Sequence, residues 1–395
     1  MKILIYCQHV LGIGHFFRTL EICRAFHKHR VILVTGGQPV DAVLPEHVRE
    51  VALPPLMTDS DFKNMYSPDS TRHPDEVKRE RREILRTLFA EESPDLFLIE
   101  LYPFGRKAFR FELDPLLEDI RSGLLPPCRV VCSLRDILVE KKDAAAYEKR
   151  VIRSLNRYFH ALLVHADPKL LTLEETFSAT EQISVPIIYT GFVTPGPAPD
   201  AREKMRGKLD IPPEILLTVA SAGGGRVGFP LLHPVCRAFS SFSAGKQKHR
   251  LLLFSGPFMD EAEYRILKEY EGENIRISRF SRDFLSLLAA ADLSVSMGGY
   301  NTCMNIMAAK VPALIWPFAQ NREQMLRAKR LRPFGGMGIL SDADLQPEKL
   351  AVRMQQFLCH PRRPAPHIDL NGAENTRRWA ESGEEKSFCE NYILK

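Results

Sequence analysis

Short apolar runs recur along the chain, each followed by a glycine-bearing or polar turn and then a stretch with helical spacing. The first half opens with the predicted strand "KILIYC", which runs through "HVLGIGH" into a helix. Phe16, Leu20, Cys23 and Phe26 fall on one face of that helix, and Glu21, Arg24 and Lys28 on another. The second half repeats the arrangement: the strand "ILLTVA", the turn "SAGGGRVG", and a helix through "HPVCRAFSSF". Between and after these come "VILVTG", "LFLIE", "RVVCSL", "ALLVHA", "RLLLFSG", "IRISRF", "LSVSMG" and "PALIWPF", again alternating with helices. Apolar strands that do not alternate with polar positions belong to parallel sheets covered on both faces. Two such series predict an α/β protein of two doubly wound, Rossmann-like domains.

The halves are joined by "VPIIYTGFVTPGPAPDAREKM", in which Pro195, Pro197 and Pro199 make a stiff linker. The expected domains are residues 1–193 and 194–375, with a helical tail over 376–395. The segment "SPDSTRHPDEVKRERREILRTLFAEESPD" is a charged stretch leading into an amphipathic helix, whose arginine-rich face reads as solvated surface. Ligands of doubly wound sheets bind at the carboxyl ends of the strands. Two domains facing each other across a cleft would let two substrates meet there.

Composition narrows the classes. With 395 residues, 45% hydrophobic and 26% charged, the chain reads as a soluble globular protein. A net charge of +5 without a basic run favours anionic ligands or peripheral contact with a membrane surface, and carries no nucleic-acid footprint. The start lacks the cleavage site of a signal peptide, and no apolar run reaches the roughly 20 residues of a spanning helix. The eight cysteines are scattered without a CxxC pair, which reads as reduced thiols in a cytoplasmic protein.

The loops then limit the nucleotide chemistry. "GIGHFF" has Phe17 where a dinucleotide fingerprint needs its third glycine, and "VILVTGG" ends without the acidic ribose ligand. A phosphate-binding G-x-x-x-x-G-K-[ST] loop and a G-x-S-x-G nucleophile elbow are both missing. What remains are glycine loops at predicted strand ends: Gly12 and Gly14, Gly223, Gly224 and Gly225, Ser255 and Gly256, Gly298 and Gly299. Glycine admits a phosphate close to the backbone, and a helix N-terminus offers amide donors and a favourable dipole. "MGGYNT" places Gly298, Gly299, Tyr300, Asn301 and Thr302 at such a start, a candidate diphosphate cradle.

Taken together, "YCQHVLGIGHFFRTLE", "ELYPFGRKAFRFEL", "VVCSLRDILV", "NRYFHALLVHADP", "YTGFV", "AAADLSVSMGGYNT" and "REQMLRAKRL" resemble the two-domain GT-B glycosyltransferases. The resemblance is to the group around the peptidoglycan lipid-linked N-acetylglucosaminyl transferase of family 28 and the UDP-glucuronosyltransferases. It implies an inverting transfer from a nucleotide-sugar donor, most simply a UDP-sugar. The donor would lie on the second domain, its diphosphate on Gly223–Gly225 and Gly298–Thr302 with Gly14, Arg226 and Ser255 contributing. Phe280 stands where the family's backbone contacts the base, and Glu323 and Gln324 match positions that contact sugar hydroxyls. Carboxylate and amide groups suit that task. Two positions depart from the pattern. Met297 stands where plant-type relatives carry histidine, and Asn305 where the motif carries a ribose-binding glutamate; a neutral amide binds a diol less strongly than a carboxylate.

An inverting transfer needs a base and stabilisation of the departing diphosphate. His15, at a helix start after "GIG", is where the family places its base. Glu100, ending "LFLIE", is a rival base, an orienting partner of His15, or an ion-pair partner of Arg106. Arg106, Arg135 and Asp136 are assigned to the acceptor side, where Arg135 either recognises an anionic acceptor or makes a structural ion pair. With no DxD-type aspartate pair in the loops, neither a cofactor nor an obligatory metal is expected, and cationic work falls to helix dipoles and Arg226. A nucleotide-sugar epimerase and a donor-binding pseudoenzyme that regulates a partner are the alternatives.

Overall fold

A computed structural model describes residues 1–8, 14–37, 39–58, 65–139, 143–242, 248–318, 320, 322–334, 336–359 and 368–382. Gly12, Cys389 and the last residues of the expected tail lie outside the described residues. The chain forms two compact units, one of Met1–Val193 joined by the chain after Ile368, the other Thr194–Ile368.

The first unit runs β1 (Lys2–Tyr6), α1 (Gly14–Ala25), β2 (Arg30–Thr35), β3 (Val48–Ala52), a small antiparallel pair β4 (Met57–Thr58) and β5 (Met65–Tyr66), then α2 (Pro74–Glu92). It continues with β6 (Leu96–Glu100), α3 (Arg110–Arg121), β7 (Arg129–Arg135), α4 (Ala144–Tyr158), β8 (Ala161–His165) and β9 (Ile187–Tyr189). Its parallel sheet has the order β3-β2-β1-β6-β7-β8-β9. Strand β1 pairs with β2 and β6 on its two sides, Ile3 lying opposite Val31 and Leu96. Ile3, Leu4, Ile5 and Tyr6 are all fully buried, each such side chain contributing roughly 1.5–3 kcal/mol of transfer free energy.

The second unit runs α5 (Ala201–Lys208), β10 (Leu216–Ser221), α6 (Phe229–Phe242), β11 (His249–Phe254), α7 (Glu261–Lys268), β12 (Ile275–Ser278), α8 (Phe284–Ala290) and β13 (Leu293–Met297). It ends with α9 (Tyr300–Ala309), β14 (Ala313–Trp316), α10 (Arg322–Leu331), β15 (Met337–Ile339) and α11 (Pro347–Leu358). The sheet order is β12-β11-β10-β13-β14-β15. In both units the order reverses beside the first strand, between β1 and β6 and between β10 and β13. That reversal opens a crevice at the strand ends.

Three expectations change. The stretch read as linker holds the last strand of the first sheet, because "IIY" pairs with β8 ahead of Pro195, Pro197 and Pro199. The second unit ends at Ile368 rather than 375, and the last described helix, α12 (Gly372–Ser382), belongs to the first unit. It packs on α1. Trp379 and Ala380 are 3% and 4% exposed within that unit's core, and the Arg129 guanidinium lies 4.4 Å from the centre of the Trp379 ring. Burying a tryptophan decides where this helix goes.

The third change concerns α2, whose arginine-rich face is not wholly solvated. Arg81 is fully buried. It donates to Glu112 Oε1 and Oε2 (2.6 and 2.8 Å), to the carbonyls of Pro54 (2.8 Å) and Gly36 (3.4 Å), and to Gln8 Oε1 (3.0 Å). Tyr6 donates to the same carboxylate.

Seven cysteines are described; all are free, and only Cys359 is exposed. Among the described residues no helix is long and apolar enough to cross a membrane.

Candidate active site

In the first unit the crevice is bordered by the start of α1 and the segment after β6. His15 is the second residue of α1, immediately after Gly14, and Glu100 is the last residue of β6. The fold brings them together across 85 positions: His15 Nδ1 lies 2.6 Å from Glu100 Oε1. Glu100 is 1% exposed. The same oxygen accepts from Arg18 Nη2 at 2.5 Å, and Oε2 accepts from Arg106 Nη2 at 3.3 Å. Burial raises the Glu100 carboxyl, but its pairing with His15 and the charges of Arg106 and Arg18 outweigh it and hold the group well below the usual carboxylate range. Glu100 is therefore an ionised carboxylate.

An ionised carboxylate at 2.6 Å fixes the imidazole tautomer. Nδ1 carries the proton and donates it, leaving the lone pair on Nε2. Nε2 makes no hydrogen bond with the described residues, and the side chain keeps 23% of its exposure. Burial pushes the His15 pKa down to about 4; Glu100 pulls it up, and Arg106 and Arg18 push it down again. The imidazole is neutral at physiological pH, with Nε2 making no hydrogen bond to the described residues. Glu100 thus contacts His15 and Arg106 at once.

The backbone behind Glu100 is held in unusual conformations. Leu101 and Arg106 have φ of +66° and +58°, in the left-handed region that side chains avoid. Strain of this kind persists where surrounding packing over-determines it, commonly at functional sites. Arg135 ends β7 half-buried. Asp136 is buried and its Oδ1 accepts from the Ile137 amide at 2.8 Å. Arg18 was not anticipated, although its place one turn after His15 on the same helix face was a usable signal. His165 was also missed. It is fully buried between the Ser133 and Thr190 hydroxyls at 2.7 and 2.8 Å, and burial pushes its pKa down to about 3.

In the second unit the loops after β10, β11 and β13 meet. Gly225 and Gly256 have φ of +95° and +88°. A Cβ on Gly225 would lie 2.4 Å from the Ser255 carbonyl oxygen, and one on Gly256 2.4 Å from that of Gly223. The two loops touch backbone to backbone, which only glycine permits. A Cβ on Gly223 would sit 4.0 Å from Thr302 Oγ1, so the first turn of α9 closes the third side. Gly299 caps α9 in an extended conformation; the first amides of a helix lack intrahelical partners and carry its positive dipole end. Arg226 lies with its guanidinium 5.7 Å from the ring centre of Phe258, which is 40% exposed. Phe280, at the same sheet edge, is 47% exposed. Loop amides, a helix start, one arginine and two partly exposed aromatic rings suit a diphosphate carrying a planar base.

Several assigned donor residues are otherwise engaged. Met297 and Tyr300 are each only 6% exposed, and Met297 is part of the apolar core, so a ligand would meet their backbone and not their side chains. Ser255 is fully buried and its hydroxyl donates to the Gly256 carbonyl at 3.2 Å. Gln324 Oε1 accepts from the Phe318 amide at 3.1 Å, and a Cβ on Gly298 would lie 3.1 Å from the Gln324 Cβ. The Gly298 carbonyl accepts from buried Arg327 at 2.9 Å. Asn305 Oδ1 accepts from the Thr194 hydroxyl at 2.9 Å, so the amide that replaces the motif's carboxylate holds the first residue of its own unit. Glu323 and Asn301 lie half-buried in the first turns of α10 and α9.

Residues 223–381 match the glycosyltransferase family 28 C-terminal domain. Among curated proteins, the chain is 24% identical over 169 residues to the UDP-N-acetylglucosamine--N-acetylmuramyl-(pentapeptide) pyrophosphoryl-undecaprenol N-acetylglucosamine transferase of Aquifex aeolicus, covering 42% of this chain and 45% of that one. It is 21% identical over 237 residues to an uncharacterised glycosyltransferase of Methanopyrus kandleri, covering 58% and 64%. The chain thus spans less than two thirds of these relatives' length. Among solved structures it superposes on a calicheamicin glycosyltransferase with a TM-score of 0.58 and 17% identity, over 100% of this chain and 99% of the other. With MurG of Acinetobacter baumannii the TM-score is 0.54 at 14% identity, over 100% and 98%. The fold is that of the GT-B glycosyltransferases.

Proposed function

With a glycosyltransferase family 28 C-terminal domain on a GT-B fold as the premise, we propose that this chain is an inverting, metal-independent glycosyltransferase using a nucleotide-diphosphate sugar, with UDP as the nucleotide. The observation that carries the reading is the His15–Glu100 pair, which leaves a neutral imidazole with a bare Nε2. In the reaction, Nε2 takes the proton from an acceptor hydroxyl as its oxygen forms a bond to the sugar's anomeric carbon. The bond from that carbon to the diphosphate breaks on the opposite face, which inverts the configuration. Glu100 stabilises the imidazolium that forms. Charge building on the diphosphate is met by the amides of Gly223–Gly225, the start of α9 and Arg226. The cytoplasm, where nucleotide sugars are made, is the proposed location.

The test combines binding and turnover. UDP at 100 times its dissociation constant should stabilise the protein by roughly 2.7 kcal/mol. A panel of UDP-sugars incubated with the protein in water should release free sugar slowly, the first-formed anomer being inverted by NMR. An isomerised donor would show an epimerase instead. Binding without turnover would show a donor-binding module, and no stabilisation by any nucleoside diphosphate would overturn the whole reading.

A further inference from the structure

Arg106 stands out against the fully buried Arg81 of the same unit. Arg81 is a structural arginine in every respect: its guanidinium donates to a carboxylate twice, to two carbonyls and to an amide oxygen. Arg106 is nearly as enclosed, with a side chain 10% exposed. Yet among the described residues it makes a single hydrogen bond, the 3.3 Å contact with Glu100 Oε2, and its buried Nε has no acceptor. A guanidinium carries five N–H donors, and a buried donor without a partner is destabilising.

The local charge is also uneven. Arg18 and Arg106 both face Glu100, so two guanidiniums meet one carboxylate, and the neutral imidazole of His15 adds nothing. Arg106 is also held in the left-handed region, at φ +58°. Hydrophobic packing and hydrogen bonding explain Arg81, but neither explains Arg106.

Resting on the proposed transferase activity, we propose that Arg106 is a specificity-determining residue whose unmatched donors bind an anionic group, a carboxylate or a phosphate, carried by the acceptor close to the hydroxyl that His15 deprotonates. Arg106 shares Glu100 with His15, so an anion on its guanidinium sits within one side chain of the reacting oxygen. A fixed fork of donors suits the planar oxygens of such a group.

The test uses the full chain with the donor site saturated by UDP, so that a phosphate probe cannot report on the glycine loops. D-glucuronate and glycerol 3-phosphate are titrated against D-glucose and glycerol by calorimetry. At least one anion should bind about tenfold or more tightly than its neutral partner, the usual worth of a charge-assisted hydrogen bond. The preferred anion identifies the group as carboxylate or phosphate. Arg106→Gln should abolish the preference, Arg106→Lys should retain part of it, and both should keep UDP affinity within about twofold. Equal binding of anionic and neutral probes by the unaltered protein overturns the proposal, whether or not the variants fold. So does an anion preference that survives in Arg106→Gln. If UDP itself fails to bind, the transferase reading falls and takes this one with it; intact UDP binding with no anion preference sinks this proposal alone.

Discussion

Replacing Glu100 by glutamine removes one charge and nearly no volume, and the structure sets what should follow. The carboxylate is 1% exposed and meets Arg18, whose side chain is 3% exposed, together with Arg106 and His15. Breaking a buried ion pair from one side costs about 3–5 kcal/mol; the amide oxygen still accepts one bond, so the lower end, ~3 kcal/mol, applies. For a domain of this size that is a fall in melting temperature of roughly 6–12 °C. Turnover should fall as well, because the imidazolium formed during proton transfer loses its counter-charge. His15→Ala should reduce donor hydrolysis by roughly 10²- to 10⁴-fold, the contribution of a positioned base, and Glu100→Gln by less. Because the two act as a unit, the double variant should be no slower than His15→Ala alone.

The pH profile supplies a second readout of the same pair. Catalysis needs the neutral imidazole, so kcat/KM should hold down to a midpoint near the His15 value of about 4, not the 6.5 of a free imidazole. Glu100 holds that value up, so in Glu100→Gln the limb should move to still lower pH. Calorimetric unfolding and NMR-monitored hydrolysis of a UDP-sugar measure all of this. Wild-type turnover in Glu100→Gln, or strictly multiplicative losses in the double variant, would refute the pairing.

Two further expectations test the scaffold of each half-site. Gly225→Ala forces a Cβ to within 2.4 Å of the Ser255 carbonyl oxygen at φ +95°; UDP affinity by calorimetry should weaken roughly tenfold or more, and unchanged affinity would remove these loops from the donor site. Arg81→Leu strands the buried Glu112 carboxylate and should cost about 3–5 kcal/mol, while Arg81→Leu with Glu112→Leu should recover most of the loss. A single-variant loss below ~1 kcal/mol in denaturant unfolding would show the network to be dispensable.

Local pattern was enough for the architecture. Strands such as "LFLIE" and "LSVSM" read as buried parallel strands because both faces of such a sheet are covered, so apolarity is continuous and visible without partners. Glycines at strand ends were legible for a related reason: their need for positive φ or close backbone approach is a property of the residue. His15 and Glu100 were each legible as candidates, since each ends or opens an element at the sheet's carboxyl edge.

Tertiary structure alone decided who meets whom. The 85-residue separation of His15 and Glu100 closes only when β1 and β6 become neighbours, which settles one group as partner of the other. The same holds for Arg81, whose charge reads as surface until Glu112 and two carbonyls are folded around it. Asn305 meets Thr194 across 111 residues, and Trp379 carries the last described helix back to the first unit. Periodicity reports which face of an element is buried. The partner of a buried polar group depends on strand order, a long-range property that no single segment encodes.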